Sequence, residues 1–364
     1  MSFMEGEINL WARLGIAFRV WLKSVVLHCG RTISLSAGGW IMITMTRRTA
    51  LGALSALISA PLFAQPPWPN RPIKLVVGFP AGGPVDTVSR IVGEILSRRL
   101  GQPIVVENKP GATGTIAAAQ VAHATPDGYT LTMLPGTFAA SAAMFRKLPY
   151  DPLNDFSWIG TIAEFPYLMA TYSAHPCVSI ADLVSNARLT STPLQFGTSG
   201  VGSVQHLSGE LLASIAGIKL QHVPYRGGLP AITDLLGKRL DIVIDQPTAL
   251  LEFIRDGRLR ALAVTSSNRF FALPDVVTVS EAGFPGYHVT SWQGLAGPAG
   301  LAPVILDQLN SELAGILAEP QFGERLRALG DEPKISAGEA FKARVASDID
   351  VWTKVVADAD IERN

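Results

Sequence analysis

The stretch Lys74-Leu-Val-Val-Gly-Phe-Pro-Ala-Gly-Gly-Pro-Val-Asp86 decides the fold. Residues 73–79 are apolar apart from Lys74, the composition of a parallel strand covered on both faces. Pro84 stands where a first helical turn tolerates proline, and Val85, Val88, Ile91, Val92, Ile95 and Leu96 recur at helical spacing up to Leu100. Gly101 ends that helix. A strand at 104–107, an alanine-rich helix at 115–124 and a strand at 129–134 follow, so the pattern is β-α-β with short connections.

A second such set begins after Cys177. Its centre is Leu194-Gln-Phe-Gly-Thr-Ser-Gly-Val-Gly-Ser203, another short apolar strand that runs through glycines into a helix, this one carrying Val204, Leu207, Leu211, Leu212 and Ile215 on one stripe. A helix at 179–187, strands at 220–223, 240–245 and 260–264, and helices at 230–236 and 248–256 complete the set. The chain is strand-like again at 288–297, then helical at 303–317, 321–329 and 337–356. Two α/β lobes need crossings, and 162–171 and 288–295 are the candidate crossing strands. The expected fold is α/β with two lobes, one from 70–168 plus 290–364 and the other from 169–289, and a ligand cleft between them.

The N-terminal region is set apart from this fold. Arg47 and Arg48 precede an uncharged run from Thr49 to Ala64, and Gln65-Pro-Pro-Trp-Pro69 then breaks the pattern, which reads as an export signal at 45–64. Residues 1–44 scatter Arg13, Arg19, Lys23 and Arg31 among apolar residues and are expected to be an over-long extension, with Met45 the start. Without residues 1–64, 24 basic residues face 28 acidic ones, a balance that offers no basic surface for nucleic acid. Cys177 then stands alone, so no internal disulfide is expected and the cysteine reads as a packed apolar residue.

The two glycine-rich junctions carry the candidate chemistry, because each sets backbone N–H groups at a positive helix end. Phe79, Ala81, Gly82 and Gly83 in the first, and Thr198, Ser199 and Ser203 in the second, are the expected anion donors. Asp86 falls near the third helical position, where a carboxylate also offsets the helix dipole. Tyr225, Asp245 and Thr137 each follow a strand at the expected cleft edge, with Arg226 beside them and His206 one turn into its helix. Neither junction has G-x-G-x-x-G or Gly-Lys-Ser/Thr spacing, so a nucleotide site fits less well. The histidines show no metal-ligand spacing, and no metal or cofactor is expected. A serine hydrolase using Ser199 or Ser203 with His206 is the rival, although Gly197-Thr-Ser-Gly200 is not G-x-S-x-G.

An ordered set of motifs resembles one family, the Bug-type extracytoplasmic solute receptors of tripartite tricarboxylate transporters. It comprises Phe79-Pro-Ala-Gly-Gly-Pro-Val-Asp86, Glu107-Asn-Lys-Pro-Gly-Ala-Thr-Gly114, Pro126-Asp-Gly-Tyr-Thr130, Leu148-Pro-Tyr-Asp151, Phe196-Gly-Thr-Ser-Gly-Val-Gly-Ser203, Val223-Pro-Tyr-Arg-Gly227, Arg260-Ala-Leu-Ala-Val264, Leu273-Pro-Asp275 and Glu281-Ala-Gly283. The resemblance implies a monomeric Venus-flytrap protein of the periplasm, of the type II periplasmic-binding-protein kind and not an enzyme. Such a protein binds a small organic acid and passes it to a membrane permease of that transporter type, or serves as an orphan sensory protein. It further implies that the loops matching Phe79–Gly83 and Thr198–Ser203 hold a ligand carboxylate, partly through water, and that selectivity arises near Thr137, Tyr225 and Asp245. Asp275-Val-Val-Thr278 departs from the family pattern, which often has a second proline there.

Overall fold

A computed structural model describes residues 68–334 and 336–363; the expected export signal and the extension before it lie outside the described residues. The chain first lays down β1 (Ile73–Val77), β2 (Ile104–Asn108), β3 (Thr130–Pro135) and β4 (Phe156–Pro166). It then builds β5 (Leu168–Tyr172), β6 (Leu194–Thr198), β7 (Leu220–Pro224), β8 (Ile242–Asp245) and β9 (Leu259–Val264), and returns for β10 (Thr290–Pro298) and β11 (Glu332–Pro333). Ten α-helices connect and flank these strands among the described residues: α1 (Pro84–Leu100), α2 (Thr115–Ala122), α3 (Thr137–Met144), α4 (Ile180–Leu189), α5 (Val204–Ala216), α6 (Gly228–Leu236), α7 (Pro247–Arg255), α8 (Pro303–Leu317), α9 (Pro320–Leu329) and α10 (Gly338–Asp358).

Two sheets result, in the orders β2-β1-β3-β10-β4-β11 and β7-β6-β8-β5-β9. They repeat one plan. In each, the first strand of a βαβ set pairs in parallel with the second and third, and the next strand along is antiparallel. That antiparallel strand is the one the chain uses on entering from the other sheet: β5 follows β4 directly, and β10 follows the segment after β9. The fold is a two-lobed α/β architecture, and both sheets belong to one compact unit.

Local chemistry explains the elements. Helix α1 begins at Pro84, carries Asp86 in its first turn and Arg98 and Arg99 in its last, and ends at Gly101 in the left-handed region (φ 68°). Its Val85, Val88, Val92, Ile95 and Leu96 pack with Ile305, Leu309, Leu313 and Ile316 of α8 on the first sheet. On the second sheet, Ile232 and Leu235 of α6 meet Leu250 and Leu251 of α7. A larger cluster is common to both sheets: Phe138, Trp158, Phe165 and Trp292 from the first side join Phe196, Leu207 and Ile244 from the second, with Val345 and Trp352 of α10. No described helix is long and apolar enough to cross a membrane.

The expected crossing strand at 162–171 is in fact two strands in different sheets. Pro166 ends β4, and the fully buried Tyr167 turns the chain into β5. Helix α3 and strand β11 are also absent from the sequence reading. The two crossings touch at Thr265. Its hydroxyl accepts from the Tyr167 N–H (2.7 Å) and donates to the Val289 carbonyl (2.8 Å), while its own N–H reaches the Tyr167 carbonyl (3.0 Å). Its carbonyl takes the Val289 N–H (2.8 Å).

Thr265→Val keeps the side-chain shape and leaves the buried Tyr167 N–H without its acceptor. The expected cost is about 1–3 kcal/mol, measured as a lowered urea midpoint; an unchanged midpoint would show that the junction gains nothing from this hydroxyl.

Candidate ligand-binding site

The first junction turns on Asp86, which is buried and has three kinds of partner. Its Oδ2 accepts from the Gly82 N–H (2.8 Å) and Arg90 Nε (2.8 Å), and its Oδ1 from Arg90 (2.9 Å) and Asn108 Nδ2 (2.9 Å). Burial pushes its pKa up, but the hydrogen bonds from Arg90, Gly82 and Asn108 outweigh burial and hold it below the usual carboxylate value. Gly82 takes the left-handed conformation (φ 78°) that lets its N–H turn back to Asp86. The Gly83 N–H donates to the Pro80 carbonyl (3.3 Å). The expected donor amides of Gly82 and Gly83 are therefore used inside the loop, Asp86 serves as its lock, and Ala81 is exposed at its tip.

The second junction is locked by histidines. Thr198 Oγ1 lies 2.6 Å from His222 Nε2 and accepts from the Gly200 N–H (3.2 Å), while Ser203 caps α5 by accepting from the His206 N–H (3.1 Å). The His206 and His222 rings stack at 3.9 Å, and His206 Nδ1 accepts from the Gly202 N–H (3.3 Å). Burial lowers the His206 pKa to about 4; burial and then the neighbouring His206 lower that of His222 to about 3. Both rings are thus neutral near pH 7, and the 3.7 Å approach of His206 Nε2 to Glu210 is not an ion pair there. Of this loop's expected donors only Ser199 faces the cleft, with its Oγ buried and unpartnered among the described residues.

Between these junctions lies a cavity of about 240 Å³. Phe79, Gly83 and Thr137 line it from one side, and Ser199, Arg226 and Asp245 from the other. The starts of α1 and α6 border it through Pro84 and Gly228, and both ends are electropositive. Arg226 pairs with no carboxylate among the described residues. Asp245 Oδ1 accepts from the Gln246 N–H (2.8 Å) and Gln205 Nε2 (3.2 Å); Oδ2 and Gln205 Oε1 are buried without a partner. Desolvation raises the Asp245 pKa to about 6. A Cβ on Gly228 would run into Asp245 Oδ2, so glycine is what allows helix α6 to start at this wall.

An outer chamber of about 640 Å³ continues past Phe79, Pro80, Ser199 and Arg226. Tyr225 lines it and donates its hydroxyl to Asp234 (2.7 Å); burial first, then Asp234, pushes its pKa up to about 12. Asp86, Thr198, Ser203, His206, Ala81 and Gly82 line neither space. Gln205 and Gln246 are cavity residues that the sequence reading missed. Gln246 had a signal, since it extends the polar end of an apolar strand; Gln205 had none, being one polar residue in a helical first turn. No cluster of three or more metal-ligating side chains occurs among the described residues.

Two sheets of one plan, crossings side by side and a cavity between paired helix starts define a two-lobed solute-binding protein. The model of the tripartite tricarboxylate transporter family receptor matches residues 88–360, and the chain belongs to that family. It is similar to the periplasmic binding protein BugD, at 35% identity over 82% of this chain and 100% of that one, with a TM-score of 0.78. It is equally similar to Rpa4515 of R. palustris, solved with adipate, at 35% identity, 82% and 100% coverage and a TM-score of 0.79. MatC of Rhodopseudomonas palustris, solved with malate, matches at 34% identity, 79% and 100% coverage and a TM-score of 0.75.

The neutral histidine pair sets a pH dependence. Both folded pKa values lie below the unfolded value of 6.5, so the stabilisation is complete above about pH 6.5 and is lost as pH falls towards 4 and 3. Each group contributes a slope of up to about 1.4 kcal/mol per pH unit in that window. The melting temperature should fall on acidification, and fall less in His222→Gln; identical acid limbs in the two proteins would contradict the assignment.

Proposed function

We propose that this protein is a periplasmic receptor that closes two lobes over a small organic acid and presents it to a membrane permease of the tripartite tricarboxylate type. The observation that carries the reading is the cavity itself, bordered by two electropositive helix starts and Arg226 and supplied with the Ser199 hydroxyl. Adipate in one structural neighbour and malate in another support a di-acid as the ligand. The moving bodies are 70–168 plus 290–364 and 169–289, a division supported by the membership of the two sheets except at Leu168, which begins β5 of the second.

Closure replaces the water around a carboxylate with fixed donors, and each charge-assisted hydrogen bond is worth roughly 1.5–3 kcal/mol net. The ligand shifts the open–closed balance only through contacts made across the cleft, and the closed shape is what a permease reads. The protein acts as a monomer and binds without turnover. Ser203 is occupied in capping α5 and His206 in holding Gly202, while Ser199 bonds to no histidine, an arrangement that supports binding over acyl transfer. Family membership supports the periplasm as its place of action.

Thermal-shift titration of ligand-free protein with adipate, malate and citrate tests the reading. At least one acid should give a saturable rise, with about 2.7 kcal/mol of added stability at a hundredfold excess over Kd. Arg226→Ala should weaken binding about tenfold, or ~1.4 kcal/mol, and Gly228→Ala should abolish it by driving a methyl group into Asp245. Absence of any shift with all three acids would overturn the proposal.

A further inference from the structure

Asp245 places a buried carboxylate on the wall of a cavity whose other features attract anions. It ends β8 and is 2% exposed. Two donors, the Gln246 N–H and Gln205 Nε2, both go to Oδ1, which leaves Oδ2 buried without a partner in a residue that lines the cavity. Gly228 lies directly against that oxygen. A ligand carboxylate drawn in by the helix starts and Arg226 therefore meets a second, buried carboxylate. Two like charges at such range do not both stay ionised, and the pair keeps one proton between them.

We propose that the cavity takes its ligand together with a proton, held on Asp245 Oδ2 and donated to an oxygen of the ligand carboxylate. The inference rests on the carboxylate-receptor reading above. The proton comes from solvent and no other bond changes. A protonated Oδ2 is a donor, so the one acidic residue in the wall becomes part of the recognition of an anion.

The groups around Asp245 leave it without a neutralising cation. Arg226 reaches the same cavity but makes no ion pair with it. Helix α5 contributes the uncharged Gln205 and turns His206 away against His222; α6 begins Gly228-Leu-Pro with no charge; α7 brings Gln246 and Thr248. Beside it stands the Tyr167 hydroxyl, whose pKa burial pushes up, and beyond Tyr167 lies Asp331, held by desolvation at about 8. In both, burial disfavours the charged form. Desolvation alone already holds Asp245 near 6, and a bound anion moves it further in the same direction.

Calorimetric titration of the purified protein with adipate and with malate, from about pH 6 to 8 and in two buffers of different ionisation heat, measures this directly. The expected result is proton uptake that rises from about half a proton per ligand near pH 6 to about one near pH 8, with affinity falling by up to about tenfold per pH unit above the free carboxyl's pKa. Asp245→Asn, whose amide donates at every pH, should lose both the slope and the uptake. The wild-type proton count stands independently of how that variant folds. Binding that takes up no proton and is flat across the range overturns the inference and leaves the receptor reading intact, as does a slope that survives in Asp245→Asn. Affinity that rises with pH, the behaviour of a ligand ammonium paired with ionised Asp245, also overturns it. Failure of both acids to bind the wild type at any pH overturns the receptor reading for di-acids, and the inference with it.

Discussion

A chain that leaves one sheet to build another must satisfy its backbone at the point of departure, where neither ladder can do so. Here that point is Tyr167, and Thr265 answers it with its N–H, its carbonyl and its hydroxyl. The same residue holds Val289 on the return path. Both crossings are thereby held together, with β5 inserted beside β8 and β10 beside β3. Leu168 comes to rest opposite Asp245, so the junction and the cavity wall share one register. The convergence of helix starts from both sheets on one cleft follows from this arrangement.

Three buried aspartates show how the same side chain is put to different use. Asp86 has Arg90, Asn108 and a backbone amide, and its charge is stabilised despite burial. Asp245 has two neutral donors on one oxygen and none on the other, and desolvation wins. Asp331 has only the Thr248 hydroxyl at 3.3–3.4 Å, and desolvation wins by more. The balance between desolvation and the donors present, with the Arg90 cation among them only at Asp86, decides the sign of each shift. It also sorts their roles, since the first locks a loop, the second faces the ligand space and the third closes the contact between α7 and the end of α9. The glycine-rich loops follow the same logic. The amides of Gly82, Gly83, Gly200 and Gly202 are committed to Asp86, Pro80, Thr198 and His206, which takes these four donors out of ligand recognition.

Much of this was legible in the sequence where period and punctuation agree. The α1 stripe, the apolar run before it and the glycine after it mark a strand and a helix that the structure contains. Helix α3 was not legible, because Thr137-Phe-Ala-Ala-Ser-Ala-Ala-Met144 is buried nearly all round and has no polar face to give a period. The break at Tyr167 was hidden for a related reason: an apolar stretch continues across it, and only the sheet each half joins tells them apart. Asp245 and Ser199 could be picked out as strand-end residues, whereas Gln205 could not, since nothing local distinguishes a cavity-facing glutamine from a solvated one.

The sequence by itself determined the strand–helix units, their order and the two glycine-rich turns, because these depend on spacing within a few residues and on backbone geometry that only glycine and proline supply. Only the tertiary structure decided which of the polar groups gathered at those turns bond to one another and which face the ligand space. That choice depends on neighbours distant in the chain, such as His222 for Thr198 and Gln205 for Asp245, and on burial that strips water from one carboxylate oxygen and leaves a partner for the other.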